Sequence, residues 1–376
     1  MSEITDEIEA IIRKIDRNME LYGTRFPHLS ATGIYSDQLT VDGSWTGSFW
    51  TGMVYLAYRY TRDSKYIDYL IEYLPVYDQR LDEGYIDHDV GFLYQLYAVV
   101  LYEATGDEKA KQLAVRAADK LLERYNSTGG FIRAWGELGD DDRRGTMIID
   151  CLLNLPLLYS ASELTGNPMY LKAADIHAHS AMIHQIRTDG STHHTFSFDP
   201  DTGTPIGGFN EGGYSDESAW SRGQAWGIYG FALAYRHTGK KEYAEATRLL
   251  TEYFIANLPE ELVPYWDFRL PSLSGAPKDA SAAAIAACGI LEMHRLLDGE
   301  LGVWDLYRDK AIQILESLRS AYSSATDSRV EGILSRCFGK VNGIEYELYT
   351  IWGDYYYMEG LLMASGHHMD AWSIKS

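Results

Sequence analysis

A chain of 376 residues that sets 54 Asp and Glu against 33 Lys and Arg, for a formal charge of −21 at pH 7, excludes nucleic acid or an anionic membrane surface as the main partner. Any anionic ligand must then be met by a local cluster of Arg or Lys. The length allows two domains or one large repetitive one, and either has a sizeable core. The three cysteines are odd in number and widely spaced, no apolar run reaches membrane-spanning length, and no basic segment leads into an apolar one. The expected setting is the cytoplasm, with buried thiols and no disulfides. Many of the 29 Tyr and 9 Trp lie beside Gly, Asp or His, as aromatic rings do in a groove on which sugars stack.

The first predicted element is an amphipathic helix, with Ile4, Ile8, Ile11, Ile12, Ile15 and Met19 on one stripe and acidic residues in the first turn. A turn-rich stretch through Pro27 and Gly33 leads to Gly43-Ser44-Trp45-Thr46-Gly47-Ser48-Phe49-Trp50 and a helix over 53–60. A punctuation mark then recurs: Thr61-Arg62-Asp63, Thr105-Gly106-Asp107, Thr165-Gly166-Asn167-Pro168 and Thr238-Gly239-Lys240. Gly suits the left-handed position just past a helix end and Asp or Asn caps the next helix, so each reads as a tight helical hairpin.

The helices after these turns are amphipathic, for example Ala110, Leu113, Ala114, Ala117, Ala118, Leu121 and Leu122 after Asp107. Those before them, over 92–102 and 152–164, are apolar on more faces and belong inside. Later members fall at 226–235, 281–297, 306–322 and 350–364. Recurrence at this spacing makes about twelve helices, in an inner and an outer ring. The reading is an all-α fold, an (α/α)6 barrel of six helical hairpins forming one domain over 1–376; a helical solenoid is the competing arrangement. The stretches 188–218 and 258–278 carry turn signals and read as rim loops or short strands.

Asp150 stands in Thr146-Met147-Ile148-Ile149-Asp150-Cys151-Leu152-Leu153-Asn154, a carboxylate among apolar residues. Burial costs it several kcal/mol unless it is protonated, paired or hydrogen-bonded; the plain alternative is a helix cap or a buried hydrogen-bond node. Asp89, in Asp87-His88-Asp89-Val90-Gly91, is the second such carboxylate, and the two make a candidate acid/base pair. Trp45, Asp89, Asp150, Arg222 and Asp279 all precede or open inner helices. In a ring of antiparallel hairpins those N-termini gather at one mouth, where anions are favoured.

Trp220 and Trp226 flank Arg222, a stacking face beside a bidentate grip for a carboxylate; core packing is the alternative for both tryptophans. Trp135 precedes a Gly- and Asp-rich loop and is a further stacking candidate, and His194 lies in a loop suited to sugar hydroxyls. His177, His179 and His184 lack the spacing and the acidic partner of a metal site, so no metal is expected.

Four strings, His88-Asp89-Val90-Gly91-Phe92-Leu93-Tyr94, Ile149-Asp150-Cys151-Leu152-Leu153-Asn154, Arg222-Gly223-Gln224-Ala225-Trp226-Gly227-Ile228-Tyr229-Gly230-Phe231 and Ile351-Trp352-Gly353-Asp354-Tyr355-Tyr356, resemble the unsaturated glucuronyl hydrolases of glycoside hydrolase family 88. The resemblance runs nearly end to end. It implies an (α/α)6 barrel that removes a Δ4,5-unsaturated uronic acid from the non-reducing end of lyase-made oligosaccharides, glycosaminoglycans foremost, without a metal or organic cofactor. It implies Asp150 as general acid/base and Asp89 as the second carboxylate. Trp45, Trp135 and Trp226 become the stacking set, with His88, His194, Trp220 and Arg222 also on the substrate.

The implied reaction hydrates an enol ether: a proton goes to C4, water adds at C5, and the hemiketal opens to release the glycan. Two departures bear on specificity. Asn210-Glu211-Gly212-Gly213 stands where relatives place a His-Gln pair, and Ser335-Arg336-Cys337-Phe338-Gly339-Lys340 keeps only Ser335 and Lys340 of a Ser-x-x-Ser-x-Lys sulfate pattern. The rival readings are an unsaturated rhamnogalacturonyl hydrolase acting on pectin fragments, a non-catalytic glycan-binding barrel, and a helical-repeat scaffold. The expected partner is an unsaturated oligosaccharide, with the protein a monomer or homodimer.

Overall fold

The computed structural model of the protein describes residues 2–297, 302–341, 344–367 and 370–374. Outer and inner helices alternate along the chain. The first half runs α1 (Ser2–Tyr22) outside, α2 (Gly47–Thr61) inside, α3 (Lys65–Glu72) with α4 (Leu74–Glu83) outside, α5 (Val90–Tyr94) and α6 (Val100–Thr105) inside, and α7 (Glu108–Glu123) outside. The second half runs α8 (Leu155–Thr165) inside, α9 (Pro168–Gln185) outside, α10 (Ser221–Thr238) inside, α11 (Lys241–Ala256) outside, α12 (Ala280–Leu296) inside, α13 (Val303–Ala321) outside and α14 (Ile351–Ala364) inside. Each inner helix packs on the next, and α14 packs back on α2, so the ring closes as a barrel and is not a solenoid.

Composition sorts the rings. A helix apolar all round must be buried all round, and every residue from Ser221 to Ala234 and from Ala280 to Met293 is buried. Small residues set the spacing: a methyl on Gly289 would stand 2.7 Å from the Tyr229 backbone, so only Gly lets α12 approach α10 this closely.

The recurring turns share one device that includes the threonine. Thr105 Oγ1 donates to the Leu101 carbonyl (2.7 Å) and accepts the Asp107 N–H (3.1 Å), Gly106 takes φ +70°, and the Asp107 carboxylate accepts the Lys109 N–H (2.9 Å). Thr61, Thr165 and Thr238 repeat both threonine contacts. Asn167 also caps, whereas Lys240 makes no side-chain cap and Arg62 holds the left-handed position at φ +62° without being Gly. The hydroxyl satisfies a helix-end carbonyl whichever residue follows, which is why the turn survives those replacements.

The expectation of an uninterrupted inner helix over 92–102 needs correction. Gln95–Val99 forms a π turn between α5 and α6, and the widened turn carries buried Gln95, which donates to the Ala371 carbonyl (2.9 Å) and accepts from Ser160 Oγ (3.0 Å).

Short strands decorate the loops: β1 (Leu29–Ser30), β2 (Tyr125–Asn126), β3 (Phe131–Ile132), β4 (Thr146–Ile148), β5 (Thr195–Phe198), β6 (Pro205–Phe209), β7 (Cys337–Val341) and β8 (Ile344–Thr350). They form antiparallel sheets in the orders β1-β8-β7, β2-β3 and β4-β5-β6. Cys151, Cys288 and Cys337 are buried and form no disulfide, and burial pushes each thiol pKa up, which keeps them inert. Among the described residues no helix is long and apolar enough to cross a membrane.

Candidate active site

Each inner helix brings its N-terminal end to the same mouth, and each end carries chemistry. Trp45 lies two residues before α2, Asp89 is the N-cap residue of α5, and Asp150 sits in the 3-10 turn Ile149–Leu153 that enters α8. Trp220 precedes α10 with Arg222 in its first turn, Asp279 caps α12 by accepting the Ala282 N–H (3.3 Å), and Trp352 stands in the first turn of α14.

The β4-β5 pairing sets one half of the site. Ile148 opposes Thr195 and the Ile149 N–H donates to the His194 carbonyl (2.9 Å), so the next residue, Asp150, is brought beside the His194 ring with Oδ1 3.5 Å from Nε2. Thr195 Oγ1 holds His194 Nδ1 at 2.7 Å. Asn154 sets the other half. Its Oδ1 accepts the Phe92 N–H (2.6 Å), which turns Nδ2 toward His88 Nδ1 (3.0 Å) and Asp89 Oδ1 (3.4 Å). His88 therefore accepts at Nδ1 and carries its proton on Nε2, which faces Asp89 Oδ1 at 3.6 Å. A methyl on Gly91 would fall 2.3 Å from Asn154 Cβ, so this junction of α5 with α8 requires glycine.

Aromatic rings wall the mouth. Trp45 lies 5.1 Å from Trp352, and the Arg222 guanidinium sits between Trp352 (5.5 Å) and Trp220 (4.8 Å). Trp220 lies 5.1 Å from His194, His194 6.0 Å from Trp135, and Trp135 6.5 Å from His88. The loop bearing Trp135 is pinned from below by buried Arg124, which donates to the carbonyls of Arg133, Ala134, Gly136 and Ile86.

Both carboxyls are recessed, with 18% of the Asp150 side chain and 13% of Asp89 exposed. Burial raises the Asp150 pKa to about 7 against the opposing pull of Arg222, and Trp226, whose indole N–H finds no full hydrogen bond, also pulls it down weakly. Asp89 is raised well above the carboxylate range, by burial first and then by Asp87 and Asp150. Burial holds His88 far below its usual pKa and His194 at about 3, so both imidazoles are neutral. The site offers proton-bearing carboxyls and neutral N–H donors around one cation.

Several expected roles change. Trp226 is 1% exposed against Phe92 (5.7 Å) and Tyr356 (5.5 Å), so its face is part of the floor and only its N–H addresses Asp150. Arg222 does not have a free fork: Nη1 is bound to Asp279 Oδ2 (2.5 Å) and the Phe338 carbonyl (2.9 Å). Ser335 Oγ donates to the Tyr322 carbonyl (2.7 Å). Lys340 lies over the stacked Trp266 and Phe338 rings, 4.7 Å from the first, and pairs with Glu345 at 4.0 Å.

The sequence reading missed Trp352 as a wall residue, although the string that carries it was recognised, and it missed Asn154 as the common partner of His88 and Asp89. In the Asn210-Glu211 departure, Asn210 Oδ1 accepts the His194 N–H (3.2 Å), and Glu211 pairs with Arg143 (2.9 Å).

The family model described as Glycosyl Hydrolase Family 88 matches residues 24–369. The chain is 42% identical to the unsaturated glucuronyl hydrolase of Bacillus sp. (strain GL1), over 92% of each chain. The crystal structure of that organism's enzyme superposes with a TM-score of 0.95, covering 99% of this chain and 100% of the other at 40% identity. An Asp-to-Asn variant of a UGL with dGlcA-Glc-Rha-Glc gives 0.94 at 40% identity, covering 98% and 99%. The Streptococcus agalactiae unsaturated glucuronyl hydrolase, as an Asp-to-Asn variant complexed with dGlcA-GalNAc6S, gives 0.81 at 34% identity, covering 96% and 90%. With a family match across nearly its whole length and this mouth at the end of an (α/α)6 barrel, the chain belongs to glycosyl hydrolase family 88.

Proposed function

We propose that this chain, acting as one catalytic domain over 1–376, releases the Δ4,5-unsaturated uronic acid from the non-reducing end of lyase-generated oligosaccharides, by hydrating the C4=C5 enol ether. The observation that carries the reading is a recessed Asp150 whose pKa stands at about 7 and which faces the neutral His194 ring at 3.5 Å. A group that first gives a proton and then takes one needs a pKa near the working pH.

Asp150 in its acid form donates its proton to C4, and the positive charge that develops at C5 is shared with the ring oxygen. Water attacks C5 while the Asp150 carboxylate takes its proton, which restores the acid. The C5 hemiketal then collapses: the bond from C5 to the ring oxygen breaks, the ring opens to a ketone at C5, and the hemiacetal left at C1 breaks down to free the glycan. Asp89, held by Asn154 and facing His88, binds the uronate hydroxyls. Arg222, between Trp220 and Trp352, supplies the cation for the uronate carboxylate, and Trp45 and Trp135 border the ring.

The names of the relatives support the substrate class. The test follows the ultraviolet absorbance of the unsaturated uronate in lyase-made chondroitin, hyaluronan, heparin and pectin disaccharides. Loss of absorbance with wild type and none with Asp150→Asn is expected. Binding without any loss in wild type would refute the proposal in favour of a glycan-binding barrel.

A further inference from the structure

The rim above His194 carries an ion pair that has no part in the chemistry at Asp150. Arg143 holds its backbone at φ +54° and lays its guanidinium 4.9 Å over the Trp135 ring. Nη2 stands 2.9 Å from Glu211 Oε1 and Nη1 3.4 Å from Oε2, so the pair is two-pronged and ties the 139–145 loop to the 210–220 loop. Glu211 is placed by the same turn that places His194, because the neighbouring Asn210 accepts the His194 N–H and donates to Ser218 Oγ (3.2 Å). Arg143 and Glu211 are 42% and 40% exposed, against 7% for His194 beneath them. A pair so exposed adds little to stability; what it does is set the charge at the rim.

We propose that this pair selects the leaving saccharide by charge, with Glu211 discriminating against an anionic group on the sugar that follows the uronate and favouring an uncharged one. The inference rests on the proposed hydrolase reading. A terminal uronate ring fills the recess at Asp150, so the sugar attached to it lies at the rim. An uncharged sugar leaves the pair intact. A sulfate must compete with Glu211 for Arg143, and the displaced carboxylate is then an unpaired like charge within reach of it.

The neighbouring Arg144 does not relieve this: it is held by Asp141 (3.2 Å) and Asp201 (2.9 Å) in a loop that also carries Asp140 and Asp142. Related structures hold both kinds of neighbouring sugar, the uncharged Glc and the sulfated GalNAc6S, so the fold itself admits either and rim side chains are free to decide between them.

The experiment measures kcat/KM for two disaccharides with the same unsaturated uronate, the second sugar being unsulfated or 6-sulfated, with wild type, Glu211→Gln and Arg143→Gln. Wild type should prefer the unsulfated substrate, and the preference should narrow as salt is raised, because screening weakens like-charge repulsion at an exposed rim. Glu211→Gln should raise the sulfated-to-unsulfated ratio at least threefold, mainly through KM, and Arg143→Gln should lower it. Comparing two substrates on one preparation removes any effect of partial misfolding. A Glu211→Gln ratio equal to wild type, or a wild-type preference insensitive to salt, would overturn the inference while leaving the hydrolase reading in place. Turnover of neither substrate by wild type would overturn both.

Discussion

Replacing Asp150 by Asn should abolish turnover and, at the same time, make the protein more stable at neutral and alkaline pH. In the folded protein, burial lifts this carboxyl from 3.8 to about 7. Below about 3.8 it is protonated in both the folded and the unfolded chain, so Asp and Asn cost the same. Between 3.8 and about 7 the unfolded chain ionises while the folded one resists, and the wild type loses stability across that window; above it the deficit is constant. At about 1.4 kcal/mol for each tenfold change in proton affinity the ceiling is about 4 kcal/mol, which solvent reaching the 18% exposed side chain trims to about 2 kcal/mol. For a chain of this size that is a rise in Tm of about 2 to 4 °C.

The assay is thermal unfolding of wild type and Asp150→Asn at steps from pH 4 to pH 8.5, beside the absorbance assay. The Asn variant should gain steadily up to about pH 7 and then hold its lead, while wild-type kcat/KM falls above the same pH as the acid form is depleted. A lead that does not depend on pH, or wild-type activity that rises through pH 7, would refute the claim that a buried, protonated Asp150 is the acid.

Asp279→Asn leaves the buried Arg222 cation without its countercharge while keeping most of the hydrogen-bond shape; it should cost about 3 kcal/mol of stability and raise KM more than it lowers kcat, read by denaturant unfolding and kinetics. Asn154→Ala strands the Phe92 N–H and frees the His88 tautomer, so a loss of about 1 to 3 kcal/mol with a larger fall in kcat than in substrate affinity is expected from the same measurements. Gly91→Ala drives a methyl into Asn154 and should destabilise by about 1 to 3 kcal/mol and lower kcat, whereas Gly106→Ala, at a left-handed turn with open space, should cost only about 1 kcal/mol and leave kcat unchanged. Trp372→Ala empties the barrel end where this ring meets Phe92, Tyr229, Tyr355 and Tyr356, a loss of about 3 to 5 kcal/mol visible in a calorimetric scan.

The helical order of the barrel was open to reading because its causes are local. Apolar periodicity, the Thr-Gly-Asp turn and the all-round apolarity of the inner helices act over a few residues, and each is printed in the chain. The same logic led from capping positions to one mouth, and so to Asp89, Asp150, Arg222 and Asp279 as its chemical groups. The π turn at Gln95–Val99 is not marked locally, and the group that its Gln95 meets, the Ala371 carbonyl, lies far along the chain.

What the linear chain determined by itself was which side chains stand at inner-helix N-termini, since that follows from helix boundaries alone. What only the tertiary structure decided was what each of them is free to do. Arg222 has one prong held by Asp279 and Phe338, Ser335 is tied to Tyr322, Trp226 is sunk into the floor, and Glu211 faces Arg143 across two loops. Hydrogen-bond commitment and burial depend on groups 13 to 116 residues apart in the chain, and no local pattern encodes which of them the closed ring will bring within 3 Å.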